Sequence, residues 1–148
     1  MLKKAWLIMA SIVGVVAGVI AVIQYFESYT SVELNGEWMI KNTVESGPFS
    51  GIELEFKFFL MQDGKKFNGT GEKWKENGTL LPPARRTPIN IVNGIIDSNN
   101  IRATFVESGH SRKTRGEFRW IMTDDGKLVG TYSSSASSNG QSIGIKRN

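Results

Sequence analysis

The chain has 148 residues, of which 40% are hydrophobic and 22% charged, and a formal net charge of +4; beyond an apolar start, enough remains for one domain with its own core and too little for two. It contains no cysteine, which excludes thiolate zinc sites, disulfide staples and cysteine nucleophiles together. Its one histidine, His110, excludes the two-histidine zinc motifs, and no basic run is dense enough to bind a DNA or RNA duplex.

Ala5 to Ile23 form a run of nineteen residues without a charge, with Ser11 as its one polar side chain. At about 1.5 Å rise per residue such a run reaches the thickness of the hydrocarbon core. Trp6, Tyr25 and Phe26 stand where interfacial aromatics belong, and Lys3 and Lys4 flank one end. The run is longer than the apolar core of a cleaved signal peptide and leads straight into Gln24, Tyr25 and Phe26. A retained single-pass transmembrane anchor over residues 1–26 is therefore expected. Ala10, Gly14 and Gly18 recur at every fourth position, making one small-residue stripe of the kind through which spans associate, so homo-oligomerisation is expected there. Lys3 and Lys4 precede the run and Glu27, Glu33 and Glu37 follow it; by the positive-inside rule this favours a cytoplasmic N-terminus and an extracytoplasmic domain.

A polar hinge is expected from Glu27 to Asn35, and a β-domain over 36–148. Every later segment is short, alternating and rich in Val, Ile, Phe, Trp and Thr, with Gly, Asn and Asp between segments. Eight strands are predicted, at 36–43, 53–62, 67–75, 88–97, 100–107, 114–123, 127–134 and 141–147. In the second, Leu54, Phe56, Phe58 and Leu60 share one face while Glu53, Glu55 and Lys57 share the other, the signature of a half-buried strand. In the sixth, Phe118, Trp120 and Met122 oppose Arg115, Glu117 and Arg119. Consecutive short strands with local connections predict an all-β fold, an eight-stranded antiparallel up-and-down barrel of the avidin or lipocalin kind, with a sandwich as the alternative. The links alternate in length: tight at Asp63-Gly64, Ser98-Asn99 and Asp124-Asp125-Gly126, long at 45–52, 76–87, 108–113 and 135–140. One rim is thus loop-rich and open and the other closed, with the first strand starting at the closed rim.

The long links carry Arg85, Arg86, Arg112 and Lys113 against Glu45 and Glu76, whereas the closed rim carries Asp63, Asp124 and Asp125 against Lys65 and Lys66. The basic excess lies at the open mouth. Guanidinium forks suit phosphate oxygens, and Trp74, Tyr132 and His110 offer stacking surfaces near the same end; the same residues also fit ordinary solvated loops. No catalytic constellation emerges. Ser133 to Ser138 lack a strand-turn-helix elbow, and Asp124-Asp125 reads as a turn once Gly126 and Lys127 follow. Gly69-Thr70-Gly71 has no helix after it to cradle a dinucleotide, while Trp38 and Trp120 read as core. No metal or cofactor is expected.

The anchor, Leu34-Asn35-Gly36-Glu37-Trp38, Phe67-Asn68-Gly69-Thr70-Gly71, Thr114-Arg115-Gly116-Glu117-Phe118 and Leu128-Val129-Gly130-Thr131-Tyr132 together resemble the membrane-anchored β-barrel effectors of bacterial cyclic-oligonucleotide antiphage signalling. Those effectors usually have two spans, where this chain offers one. The resemblance implies that a cytoplasmic barrel senses a cyclic oligonucleotide, that protomers then assemble, and that their spans disrupt the bilayer and kill the cell. A different class also fits the residues: an extracytoplasmic anchored barrel binding an apolar small molecule on inward residues such as Phe56, Phe118 and Trp120.

Overall fold

A computed structural model describes residues 32–147; the apolar run, with Ala10, Gly14 and Gly18, lies outside the described residues. Among the described residues no helix is long and apolar enough to cross a membrane. The elements are β1 (Gly36–Ser46), β2 (Glu53–Asp63), β3 (Lys66–Glu76), β4 (Thr79–Leu80), a 3-10 turn (Pro83–Arg85), β5 (Thr87–Asp97), β6 (Asn100–Ser108), β7 (Lys113–Met122), β8 (Lys127–Ser134) and β9 (Asn139–Lys146).

Every strand pairing is antiparallel. β1 pairs with both β2 and β9, and β2 pairs in turn with β3, so the meander closes into an eight-stranded barrel without free edges and the sandwich alternative falls. β4 is outside that count: its two residues fold back on the end of β3, Lys75 opposite Leu80 and Glu76 opposite Thr79. The long link expected at 76–87 is thus partly ordered, because Asn77 at φ 49° and Gly78 at φ 73° make a tight reversal. β1 also runs on to Ser46, where Val44 and Ser46 pair with Gly140 and Asn139 across a bulge.

The closed half of the barrel is packed solid. Trp38, Phe58, Leu60, Phe67, Ile101, Trp120 and Leu128 are each at most 1% exposed, as inward positions of short alternating strands should be. The indole of Trp120 donates to Ser142 Oγ at 2.9 Å, and that of Trp38 donates to the Leu34 carbonyl at 2.8 Å.

Residues 32–35 correct the expectation of a polar hinge running to Asn35. Leu34 is fully buried and Val32 6% exposed, and both belong to the core. Gln62 holds this stem in place: its Oε1 accepts from the Leu34 amide at 2.8 Å, and its Nε2 donates to the Val32 carbonyl at 2.9 Å. Intervening polar residues Glu33 and Asn35 hid an alternation that continues, in phase, to Trp38. The chain therefore begins its barrel by sealing the closed end, and it returns there at its other end, where the Arg147 amide donates to the Glu37 carbonyl at 2.8 Å.

Candidate functional site: a cavity at the open end

The packing stops halfway up the barrel. Above it lies a cavity of about 430 Å³, open at the loop-rich rim. Its floor is aromatic, formed by Phe56, Phe105 and Phe118 with Ile89 beside them. The Phe105 and Phe118 ring centroids are 4.8 Å apart, and Phe118 stacks on Trp120 below at 4.3 Å with an interplanar angle of 13°. Gly116 makes this possible, since a Cβ there would collide with the Phe105 ring and with the Ser133 carbonyl.

The walls are polar where the strand phase would put apolar residues. Asn42 follows Trp38 and Ile40 on the inward face of β1, Glu107 follows Ala103 and Phe105 on β6, and Lys73 follows Gly69 and Gly71 on β3. Lys73 Nζ lies 3.2 Å from Glu107 Oε1, and the Thr87 hydroxyl donates to the same carboxylate oxygen. Paired in this way, the two charges can sit in a wall that a lone charge would destabilise. Asn42 and Tyr132 are treated differently. They are 2% and 4% exposed, yet Asn42 Oδ1 and the Tyr132 hydroxyl have no hydrogen-bond partner among the described residues. A buried polar atom left so costs about 1–3 kcal/mol and marks a place where a ligand or an ordered water completes the bonding. Burial pushes the Tyr132 hydroxyl above the ordinary value of 10.0; neighbouring Ser138 pulls the other way, and Glu45 adds a smaller upward push.

The sequence-based site residues divide. Arg85, Arg112 and Tyr132 line this one cavity. Arg86 is a brace beside it: its Nε donates to the Leu81 carbonyl at 3.0 Å and its guanidinium lies 3.3 Å from Glu72. His110 and Lys113 are exposed on the β6–β7 side of the mouth and are not part of the lining. Trp74 stands outside the barrel, its ring between Lys57 Nζ at 4.1 Å and Lys75 Nζ at 4.4 Å. Strand parity puts it there, since Lys73 before it faces inward; a bulge follows, in which Phe56 opposes Lys73 and Glu55 opposes Lys75 with Trp74 as the extra residue. The shift in phase also brings Glu76 round to the cavity beside Leu54.

Asn42, Lys73, Thr87 and Glu107 were missed by the reading of the loops alone. Their signal was present nonetheless, since each is a polar residue on an inward phase. Together the lining presents a flat aromatic base, two unpartnered polar groups, and the cations Lys73, Arg85 and Arg112 against the acids Glu76 and Glu107. The cavity thus places stacking surface, open hydrogen-bonding positions and charged groups of both signs side by side. No protein-family model, curated protein or solved structure matches the chain.

Proposed function

We propose that this chain is a membrane-anchored receptor whose barrel takes a cyclic oligonucleotide into its open end, and that occupancy drives association of the spans and disruption of the bilayer. The observation that carries the reading is the meeting, in one cavity, of a phenylalanine floor, two buried unpartnered polar groups and three cationic side chains. A nucleobase is flat, so it gains from stacking on an aromatic floor. Its edge presents donors and acceptors, which Asn42 Oδ1 and the Tyr132 hydroxyl lack. Its phosphates need paired cations once they leave water, and Arg85 and Arg112 are at hand. A cavity of about 430 Å³ is within the range of roughly 300–1,000 Å³ usual for small-molecule sites, and in this reading it accepts a base and its sugar while the rest of the ring sits at the mouth.

Resemblance to the antiphage effectors supports the same assignment, with the barrel in the cytoplasm on a single inner-membrane span. Residue 32 lies at the closed end of the barrel, opposite the mouth. The phenylalanine floor also favours a second reading, an extracytoplasmic barrel that holds an apolar tail and has no signalling role.

Calorimetry on the full chain in detergent, with a panel of cyclic di- and trinucleotides beside a fatty-acid probe, separates the two. The nucleotide reading expects binding heat from at least one cyclic nucleotide, and a loss of roughly tenfold or more for each of Arg85→Ser and Arg112→Ser, as befits charge-assisted hydrogen bonds. Heat from the fatty acid alone, unchanged in both variants, overturns it.

A further inference from the structure

The open rim carries four links: 47–52 between β1 and β2, 77–86 between β3 and β5, 109–112 between β6 and β7, and 135–138 between β8 and β9. Each joins neighbouring strands of the closed sheet, so the links stand at quarter turns round the mouth. The β6–β7 link brings Arg112 to the cavity, and the β3–β5 link brings Arg85. The β1–β2 link, across the mouth from Arg112, brings Phe49. The mouth therefore has a cationic lip and an aromatic one.

Phe49 contributes little to the fold. Ile52 and Leu54, which follow it, pack against the core, whereas Phe49 is 46% exposed. Its loop is nevertheless rigid. The Gly51 amide donates to the Val44 carbonyl at 2.8 Å, the Ile52 amide to the Phe49 carbonyl at 3.2 Å and the Ser50 hydroxyl to the Glu45 carbonyl at 3.0 Å. Pro48 fixes one dihedral immediately before the ring. Gly47, at φ 92°, lies so close to the β8–β9 link that a Cβ there would collide with the Ser137 carbonyl. A flat apolar face is thus held at the edge of the cavity with half of it left open, and a ligand that covers it meets little ordering cost.

We propose that Phe49 is a ligand-binding residue, stacking the second base of a cyclic dinucleotide whose first base lies on the phenylalanine floor. This rests on the nucleotide reading of the cavity. A cyclic dinucleotide joins two bases through one ring of sugars and phosphates, and a cavity of about 430 Å³ that takes one base and its sugar leaves the other base at the mouth. In water that base adds nothing to affinity; against Phe49 it gains a stack. The phosphates between the two bases then lie within the rim that carries Arg85 and Arg112, whose guanidinium forks suit them.

Calorimetry on the full chain in detergent tests this with cyclic di-AMP and cyclic di-GMP, each beside an analogue lacking one of its two bases. Leucine keeps apolar bulk and loses the flat face, so the variant is Phe49→Leu. At least one dinucleotide should bind the unaltered chain and lose roughly tenfold in affinity to Phe49→Leu, the size of a lost base–aromatic stack. Its one-base analogue should bind both proteins alike, at the level the dinucleotide has with the variant, which is the signature of a coupled pair. Phe49→Tyr should restore the affinity, and the urea midpoint should be unchanged in both variants. An equal loss for dinucleotide and analogue would mean that Phe49 shapes the cavity and holds no second base. Undiminished dinucleotide binding in Phe49→Leu would mean that the second base lies elsewhere. Either result overturns the inference and leaves the nucleotide reading standing. Silence of both dinucleotides with the unaltered chain overturns the inference as well, and the cyclic trinucleotides then decide the nucleotide reading separately.

Discussion

Asn42 Oδ1 and the Tyr132 hydroxyl are buried in a wall that gives neither a well-formed hydrogen bond, Ser138 coming only near enough to favour the ionised hydroxyl, an arrangement that stability alone would remove. Tyr132→Phe should accordingly leave thermal stability unchanged or raise it by about 1 kcal/mol, while lowering ligand affinity by roughly tenfold if the hydroxyl bonds the ligand. Measured unfolding and binding isotherms of the same variant check both halves. A pH effect accompanies it. Burial holds the Tyr132 pKa above 10.0 in the folded chain, so above about pH 10 the unfolded chain releases a proton that the folded one keeps, and stability falls as pH rises toward the folded value. That component should vanish in Tyr132→Phe, as urea midpoints of both proteins at about pH 8 and about pH 11 would show. At this scale the sequence was readable wherever strand parity held. Asn42, Lys73 and Glu107 are polar residues in inward phase, and parity alone marks them. The same parity turns Trp74 outward, next to inward Lys73; what could not be read was Glu76, because the bulge between Lys73 and Lys75 inserts one residue and brings it to the cavity without any local signal in residue type.

Among the elements, the stem at residues 32–35 shows most plainly how the closed end is made. Leu34 has no exposure, its amide is held by Gln62, and its carbonyl accepts the Trp38 indole. Leu34→Ala keeps those backbone bonds and removes only the buried side chain, so it should cost about 2–5 kcal/mol. The cavity is at the other end of the barrel, so ligand affinity of the folded variant should be unchanged. A lowered urea midpoint with an unaltered dissociation constant is the expected pair of results; a matching loss of affinity would mean that the two ends are coupled. The main strands were legible because eight segments alternate cleanly between turn residues. Their open-end limits were not: Glu45 and Ser46 read as loop, yet a bulge lets them continue β1 alongside β9. β4 escaped notice since two residues carry no period at all.

Over the whole molecule, a single asymmetry organises packing and site alike. Tight turns close one end, where aromatic and aliphatic side chains meet without a gap, and long links leave the other end too wide for its inward residues to fill. This asymmetry was legible in the alternation of link lengths. The cavity behind the open rim was not, because its walls come from residues far apart in sequence, Asn42 to Tyr132, brought together only by closure of the sheet. Two places on the barrel could stack a base: the cavity with its phenylalanine floor, and the outer Trp74 ring between Lys57 and Lys75. The measurement that separates them most directly is photolabelling of the full chain with an azido-substituted cyclic dinucleotide, followed by peptide mapping and competition with unmodified ligand. Label confined to the cavity, on residues such as Phe105, Phe118 or Tyr132, and displaced by competitor is the result expected here. Label on Trp74 and its flanking lysines, or label that competitor does not displace, would contradict the claim that the open end is the ligand site.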